Sequence, residues 1–301
     1  MDIGGKFSPD AEIVLFNGDC RNLLRTIPRG SVQLIVTSPP YNTGKDYEHK
    51  QALSEYLREQ AQVIRASVRT LAEGGSICWQ VGNQIGDSGE IYPLDILLFP
   101  FFARAGLKLR NRIVWHFEHG LHCTRRLSGR HETILWFTKG DRYVFNLDPI
   151  RVPQKYPGKR HFKGPNNGTY SGHPNGKNPG DVWMIPNVKH NHIEKTIHPC
   201  QFPVELVERL VLSLSDKGAL VLDPYMGVGT TAIAASRHGR RVAGAEISEE
   251  YYQVAIHRLE ELASGRLRTR PMGQPIYEPP QGSPLTVRTE SVCQSQVTQQ
   301  P

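Results

Sequence analysis

Four consecutive residues, Ser38-Pro39-Pro40-Tyr41, bring together a hydroxyl, two carbonyls on residues that lack an amide hydrogen, and an aromatic ring. That set suits activation of an exocyclic amino group on a nucleobase. The lone pair of such an amine is delocalised into its ring, and the nitrogen becomes nucleophilic only when acceptors hold its hydrogens in a tetrahedral arrangement. Ser38 and a backbone carbonyl can supply those acceptors. Proline has a fixed φ and no N–H, so Pro39-Pro40 makes a rigid turn that presents an acceptor without a competing donor. Tyr41 offers a face for stacking, worth roughly 1–3 kcal/mol per base, which offsets part of the cost of drawing a base from a duplex. Taken alone, SPPYN also fits a plain strand-terminating loop.

A second set lies far downstream. Residues 218–248, GALVLDPYMGVGTTAIAASRHGRRVAGAEIS, read as strand, glycine-rich turn, helix, strand and acid, which is half of a nucleotide-binding α/β unit. Gly227 and Gly229 let the backbone turn tightly and come close to a ligand. Glu246, nineteen residues after Gly227, ends the next strand, where a carboxylate can accept from ribose hydroxyls. An adenosine-containing cofactor is therefore expected. Asp223, directly before the loop, would repel a pyrophosphate but can pair with the ammonium of a methionyl group, which favours S-adenosylmethionine over a dinucleotide. A lone GxG also fits any tight strand-to-helix turn; the flanking strand and the spaced acid argue for the ligand.

The elements that must position these residues alternate. Strands are predicted at 12–17, 32–37, 76–81, 112–117, 133–138, 219–222 and 241–245, with helices at 53–71, 92–105, 203–214, 230–237 and 249–262. SPPY then ends one buried strand and the glycine loop ends another. The pattern predicts a doubly wound, Rossmann-like α/β sheet. Residues 149–186 interrupt it with seven prolines and six glycines among Tyr156, Phe162, Tyr170 and Trp183, and read as an ordered binding insertion rather than a flexible linker.

Charge is uneven. The net charge is +7, yet residues 104–195 hold 17 Lys and Arg against 6 Asp and Glu, leaving the remainder acidic. A clustered basic surface releases counterions from phosphates, so nucleic acid is one partner it fits, beside the plainer reading of a solvated face. Arg125, Arg126, Arg130, Lys155, Lys159, Arg160 and Lys163 are the candidate contacts. His116, His119, His122 and Cys123, and again His190, His192, His198 and Cys200, lie close in sequence but match no standard zinc spacing, so no metal site is expected. Five scattered cysteines without a CxxC pair argue against a disulfide framework, and the start lacks a secretory pattern; a cytoplasmic protein that does not enter membranes is expected.

TSPPYN at 37–42 and DPYMGVGTT at 223–231 together resemble the catalytic and cofactor motifs of the DNA amino-methyltransferases, in the circularly permuted order of the beta class: catalytic motif, target-recognition region, cofactor motif. FNGDC at 16–20 and HPCQFPVELVERLV at 198–211 extend the likeness over 14–262. The resemblance implies S-adenosylmethionine as cofactor, with Asp19 and Cys20 toward its adenine, Glu246 at its ribose, and Asp223, Tyr225, Met226, Gly227, Gly229, Thr230 and Phe202 lining the rest. It implies catalytic roles for Ser38, Pro39, Pro40 and Tyr41 and double-stranded DNA as substrate. It also implies a cognate restriction endonuclease as functional partner. The corresponding parts are a catalytic half at 1–137, a target-recognition insertion at 138–195, a cofactor half at 196–265 and a disordered tail at 266–301. In this family, serine at position 38 accompanies cytosine-N4 methylation more than adenine-N6 methylation. The rival readings are methylation of RNA or of a protein amide, and a non-catalytic nucleic-acid-binding protein.

Overall fold

The computed structural model describes residues 2–45, 48–120 and 122–278. Among these, β1 (Ile3–Gly4) and β2 (Ile13–Asn17) lead into α1 (Cys20–Thr26), β3 (Val32–Thr37), α2 (Leu53–Thr70) and β4 (Leu71–Val81). A small hairpin, β5 (Asn83–Ile85) and β6 (Ile91–Pro93), precedes α3 (Leu94–Arg104), β7 (Lys108–His116) and β8 (His131–Thr138). After an irregular stretch come β9 (Val182–Met184), α4 (Val204–Leu214), β10 (Leu220–Asp223), α5 (Thr230–Arg237), β11 (Arg241–Glu246) and α6 (Glu249–Ala263).

Strands buried on both faces need continuous apolar runs, and β10 is buried throughout while β3 is buried at all but Gln33. Side chains alternate across the sheet. Leu34 and Val36 join Leu210, Ile233 and Leu259 beneath α4, α5 and α6, whereas Ile35 joins Val63, Leu98 and Phe102 beneath α2 and α3. Helices therefore cover both faces, as a doubly wound sheet requires. The strand order is β1-β2-β11-β10-β3-β4-β8-β7-β9, with β8 antiparallel to both neighbours and the other pairs parallel.

β3 and β10 lie side by side, pairing Leu34 with Val221 and Ile35 with Leu222. From β3 the chain moves outward to β4, and from β10 it moves the other way to β11. Adjacent strands that send the chain in opposite directions open a crevice at their carboxyl ends, where ligands of such sheets bind. Both sequence motifs sit there.

Several element bounds differ from the sequence expectation for local reasons. β4 starts at Leu71 because it pairs with Val32, breaks register, and resumes at Leu34 opposite Ser76; the bulge hides a strand behind Gly74-Gly75. The helix expected from 92 starts at Leu94 because Pro93 caps it and Ile91–Pro93 pairs with Asn83–Ile85. β7 begins at Lys108, its polar half pairing with β8 through a second register shift.

The stretch 138–195 is bound into the sheet at both ends. Thr138 closes β8, and β9 adds an edge strand beside β7, with Trp183, Ile185 and Val188 buried. Between them lie a 3-10 turn at Asp148–Ile150 and two isolated bridges, Val152 with Lys177 and Arg160 with Tyr170. Residues 266–278, where the tail is expected to begin, are tied to the fold at Arg270. Arg270 is buried, its guanidinium meets Glu205, and its backbone N–H donates to Glu194 at 2.9 Å, so charge pairing holds a segment that lacks an apolar period. Residues 279–301 lie outside the described residues. Among the described residues no helix is long and apolar enough to cross a membrane.

Candidate active site

The carboxyl ends of β3, β10, β2 and β11 enclose a cavity of about 300 Å³. Ser38, Pro39, Pro40 and Tyr41 form one wall. Tyr56 of α2 donates its hydroxyl to the Pro40 carbonyl at 2.8 Å, pinning the turn. Asn42 holds a left-handed φ of 57°, and its side chain both donates to the Gln51 carbonyl and accepts from the Gln51 N–H. The loop after the motif is thereby closed on itself. Ser38 Oγ lies 3.2 Å from the Tyr41 hydroxyl, which donates to Glu132 Oε2 at 3.2 Å.

The opposite wall carries the other motif. Asp19, Cys20, Phe202, Tyr225, Met226, Gly227, Thr230 and Glu246 all line the cavity. Glu246 accepts from the backbone N–H groups of Gly227 at 2.9 Å and Ser248 at 2.8 Å, which fixes the glycine turn against the end of β11. Burial pushes the Glu246 carboxyl above its ordinary pKa, while these N–H groups pull it down. Asp19 caps α1 through the Arg21 N–H and also holds the Arg21 side chain, which keeps its carboxyl below the ordinary range. Burial pushes the Cys20 thiol up to about 12.

Two expected cofactor residues stand elsewhere. Asp223 does not line the cavity. It is buried, its Oδ1 accepts from the Thr37 hydroxyl at 2.5 Å and the Tyr225 N–H at 3.0 Å, and its Oδ2 accepts from the Thr231 hydroxyl at 2.6 Å. Its carboxylate ties the end of β3 to the glycine loop and the start of α5. Burial raises its pKa to about 6 in spite of those donors. Gly229 is likewise outside the lining. Its φ of 81° caps α5, and a Cβ there would meet Ala255 Cβ at 3.0 Å, so it serves the approach of α6.

The sequence reading missed several groups at the cavity. Glu132, half-buried near the start of β8, meets Tyr41 and the Gln80 amide. His198 lines the cavity, and its Nδ1 accepts from the Cys200 N–H at 3.1 Å; burial, with Lys195 and Lys45 nearby, lowers its pKa to about 4. Lys45 reaches Cys200 Sγ at 2.7 Å, and Lys45 and Lys189 both pull on Glu132. Lys45 and Lys195 thus bond to the wall residues Cys200 and His198, contacts that sequence spacing does not disclose.

Arg125, Arg126, Lys155, Lys159, Arg160 and Lys163 are exposed and Arg130 is half-buried, none of them in the cavity wall. The first two and Arg130 lie on the loop between β7 and β8, which leaves the sheet on the catalytic edge. The other four belong to the irregular insertion, where Arg160 stacks on Tyr170 at 4.1 Å and Lys155 lies 5.7 Å from the ring of Tyr156. Among the described residues no three His, Cys, Asp or Glu groups are placed to hold a metal ion.

The donors and walls fit an adenosylated amino acid. Gly227 leaves open the space a Cβ would take, 3.8 Å from His198 Nε2, and Phe202, Met226 and Val228 give apolar wall beside the Glu246 carboxylate.

A family model described as DNA methylase matches residues 32–257. The chain is 53% identical over 241 residues to the type II methyltransferase M.BglII of Bacillus subtilis, covering 80% of this chain and 67% of that protein. It is 31% identical to the DNA adenine methyltransferase YhdJ of Escherichia coli K12, covering 85% of each. A modification methylase from Thermus thermophilus solved with S-adenosylmethionine matches at TM-score 0.60 and 31% identity, over 83% of this chain and 96% of that one. The chain belongs to the DNA methylase family, the enzymes that use S-adenosylmethionine to methylate exocyclic amino groups of DNA bases.

Proposed function

We propose that this protein methylates the N4 amino group of a cytosine extruded from double-stranded DNA. The observation that carries the choice of base is Ser38 itself: the side chain beside Tyr41 on the catalytic wall is a neutral hydroxyl, not an acid or an amide. Pro40's carbonyl is engaged by Tyr56, so the Pro39 carbonyl is the backbone acceptor assigned to the second amino hydrogen. S-adenosylmethionine supplies the electrophilic methyl group on a sulfonium. The wall formed by Asp19, Phe202, Gly227 and Glu246 would hold the donor, and neutral His198 adds no positive charge beside it.

A recessed cavity reaches an amino group only if the base leaves the stack. Tyr41 stacks on the extruded base, while Arg125, Arg126, Arg130, Lys155, Lys159, Arg160 and Lys163 contact DNA phosphates from the loop and the insertion. A restriction endonuclease acting on the same sequence is the functional partner assigned here.

The test is to methylate unmodified DNA with the purified protein, digest it to nucleosides and identify the product by mass spectrometry. N4-methylcytosine is expected. A 6-methyladenine product, which the likeness to an adenine methyltransferase keeps as the second reading, would move the target base and leave amino methylation intact. 5-Methylcytosine would overturn both, because that carbon chemistry requires a cysteine nucleophile that SPPY does not provide.

A further inference from the structure

Glu132 stands apart in its strand. β8 pairs along its length with β4 and β7, and residues 133–138 are buried, yet the residue before them is a half-buried carboxylate placed opposite Trp115. The pairing itself needs no acid there. What the carboxylate meets is the catalytic loop: Oε2 accepts from the Tyr41 hydroxyl at 3.2 Å and from the Gln80 amide. Gly82 makes room for this meeting, since a Cβ there would lie 3.1 Å from Tyr41 Cε2 and 3.3 Å from Glu132 Oε1. Among the described residues, the titratable and charged groups that act on Glu132 are Tyr41, Lys45 on the loop after the catalytic motif, and Lys189 on the segment after β9.

We infer that Glu132 is a positioning residue for methyl transfer: by accepting the Tyr41 proton, it sets the direction of the chain Ser38–Tyr41–Glu132 and keeps the Ser38 oxygen an acceptor. The inference rests on the amino-methylation roles assigned to Ser38 and Tyr41. A phenol has one proton. While it is given to Glu132, the Tyr41 oxygen can only accept from Ser38, so the Ser38 hydrogen points away from the substrate and its lone pairs are free for an amino hydrogen. Remove the acceptor, and the Tyr41 proton can turn to Ser38. The Ser38 hydrogen then swings toward the amine, where two donors face each other. Burial raises the Glu132 pKa against the pull of Tyr41, Gln80 and the two lysines, and in either protonation state a carboxyl oxygen remains to accept from Tyr41.

The test measures kcat, and KM for both S-adenosylmethionine and DNA, on unmodified duplex DNA from a methylase-deficient host. Wild-type protein that methylates no DNA would defeat the proposed function and not this inference. Given activity, Glu132→Met fills the space without an acceptor and should lower kcat on the order of tenfold, the loss of one oriented hydrogen bond, with both KM values unchanged. Glu132→Gln keeps a neutral acceptor oxygen and should recover most of the rate at neutral pH. Rescue by Glu132→Gln but not by Glu132→Met separates the acceptor oxygen from mere filling of the space. Adding Tyr41→Phe to Glu132→Met should cost no more than Tyr41→Phe alone, because the chain is already broken. Wild-type kcat in Glu132→Met, a loss confined to KM, or a Glu132→Gln variant as slow as Glu132→Met would each overturn the inference.

Discussion

Replacing Asp223 by Asn separates a buried tie from a ligand contact. The carboxylate takes three donors from Thr37, Thr231 and Tyr225 in a site without solvent exposure. Its pKa is raised from 3.8 to about 6 by burial, so the folded state holds the proton more tightly than the unfolded chain. Stability from this group is complete below the unfolded value and is lost as pH rises through the folded one. At 1.36 kcal/mol per unit the whole loss is about 3 kcal/mol, of which about 1.4 kcal/mol falls between pH 5 and 8. For a chain of this size that corresponds to about 2 °C in melting temperature. Asn keeps one acceptor oxygen for Thr37 and Tyr225, and its amide can donate to Thr231 after that hydroxyl rotates. Asp223→Asn should therefore fold and show a melting temperature that falls less between pH 5 and 8 than wild type by that amount, as read by scanning calorimetry across the range. Asp223→Ala strands three donors at about 1–3 kcal/mol each and should melt far lower at every pH. Parallel melting curves for wild type and Asp223→Asn would refute the reasoning, because the carboxylate would then carry no excess proton affinity in the fold.

Glu246→Ala removes the acceptor of the Gly227 and Ser248 N–H groups from the cavity wall; S-adenosylmethionine affinity measured by calorimetry should drop by tenfold or more, with the fold retained on circular dichroism. Replacing Arg125 and Arg126 together by Ala should flatten the slope of log DNA affinity against log salt by up to about two, and an unchanged slope would remove both from the phosphate interface. Tyr41→Ala should slow methylation much more than Tyr41→Trp or Tyr41→Phe, which keep a stacking face; equal rates for Phe and Ala would make the hydroxyl the operative group.

The fold was legible where the sequence carries its own punctuation. Apolar runs at β3 and β10 end in SPP and in a glycine turn, so strand, turn and ligand wall were all visible from spacing, and the cavity does gather Ser38, Tyr41, Gly227 and Glu246. The role of Asp223 was not legible. An acid before a glycine loop reads as a ligand until Thr37, 186 residues away, is seen to donate to it. Glu132 escaped for the same reason, since 91 residues separate it from Tyr41 and no periodicity links them. β4 and β7 were cut short because bulges break their alternation. The segment 266–278 read as a tail because charge, not apolar burial, secures Arg270.

The short edge strand β9 bears on how such a protein can change over time. Thr138 is registered opposite Lys108 and Val182 opposite Val114, so the chain between them leaves and rejoins the sheet at points that β7 fixes independently. For a loop with anchored ends, doubling the length costs only about 0.6 kcal/mol in closure entropy. Residues 153–176, outside the bridge of Val152 with Lys177, can therefore lengthen, shorten or exchange their surface side chains with little penalty to the sheet. The segment from Ile185 to Cys200, delivered to the rim by β9, stays put while they do so. Drift in one stretch of chain need not disturb the cavity at the sheet's crevice.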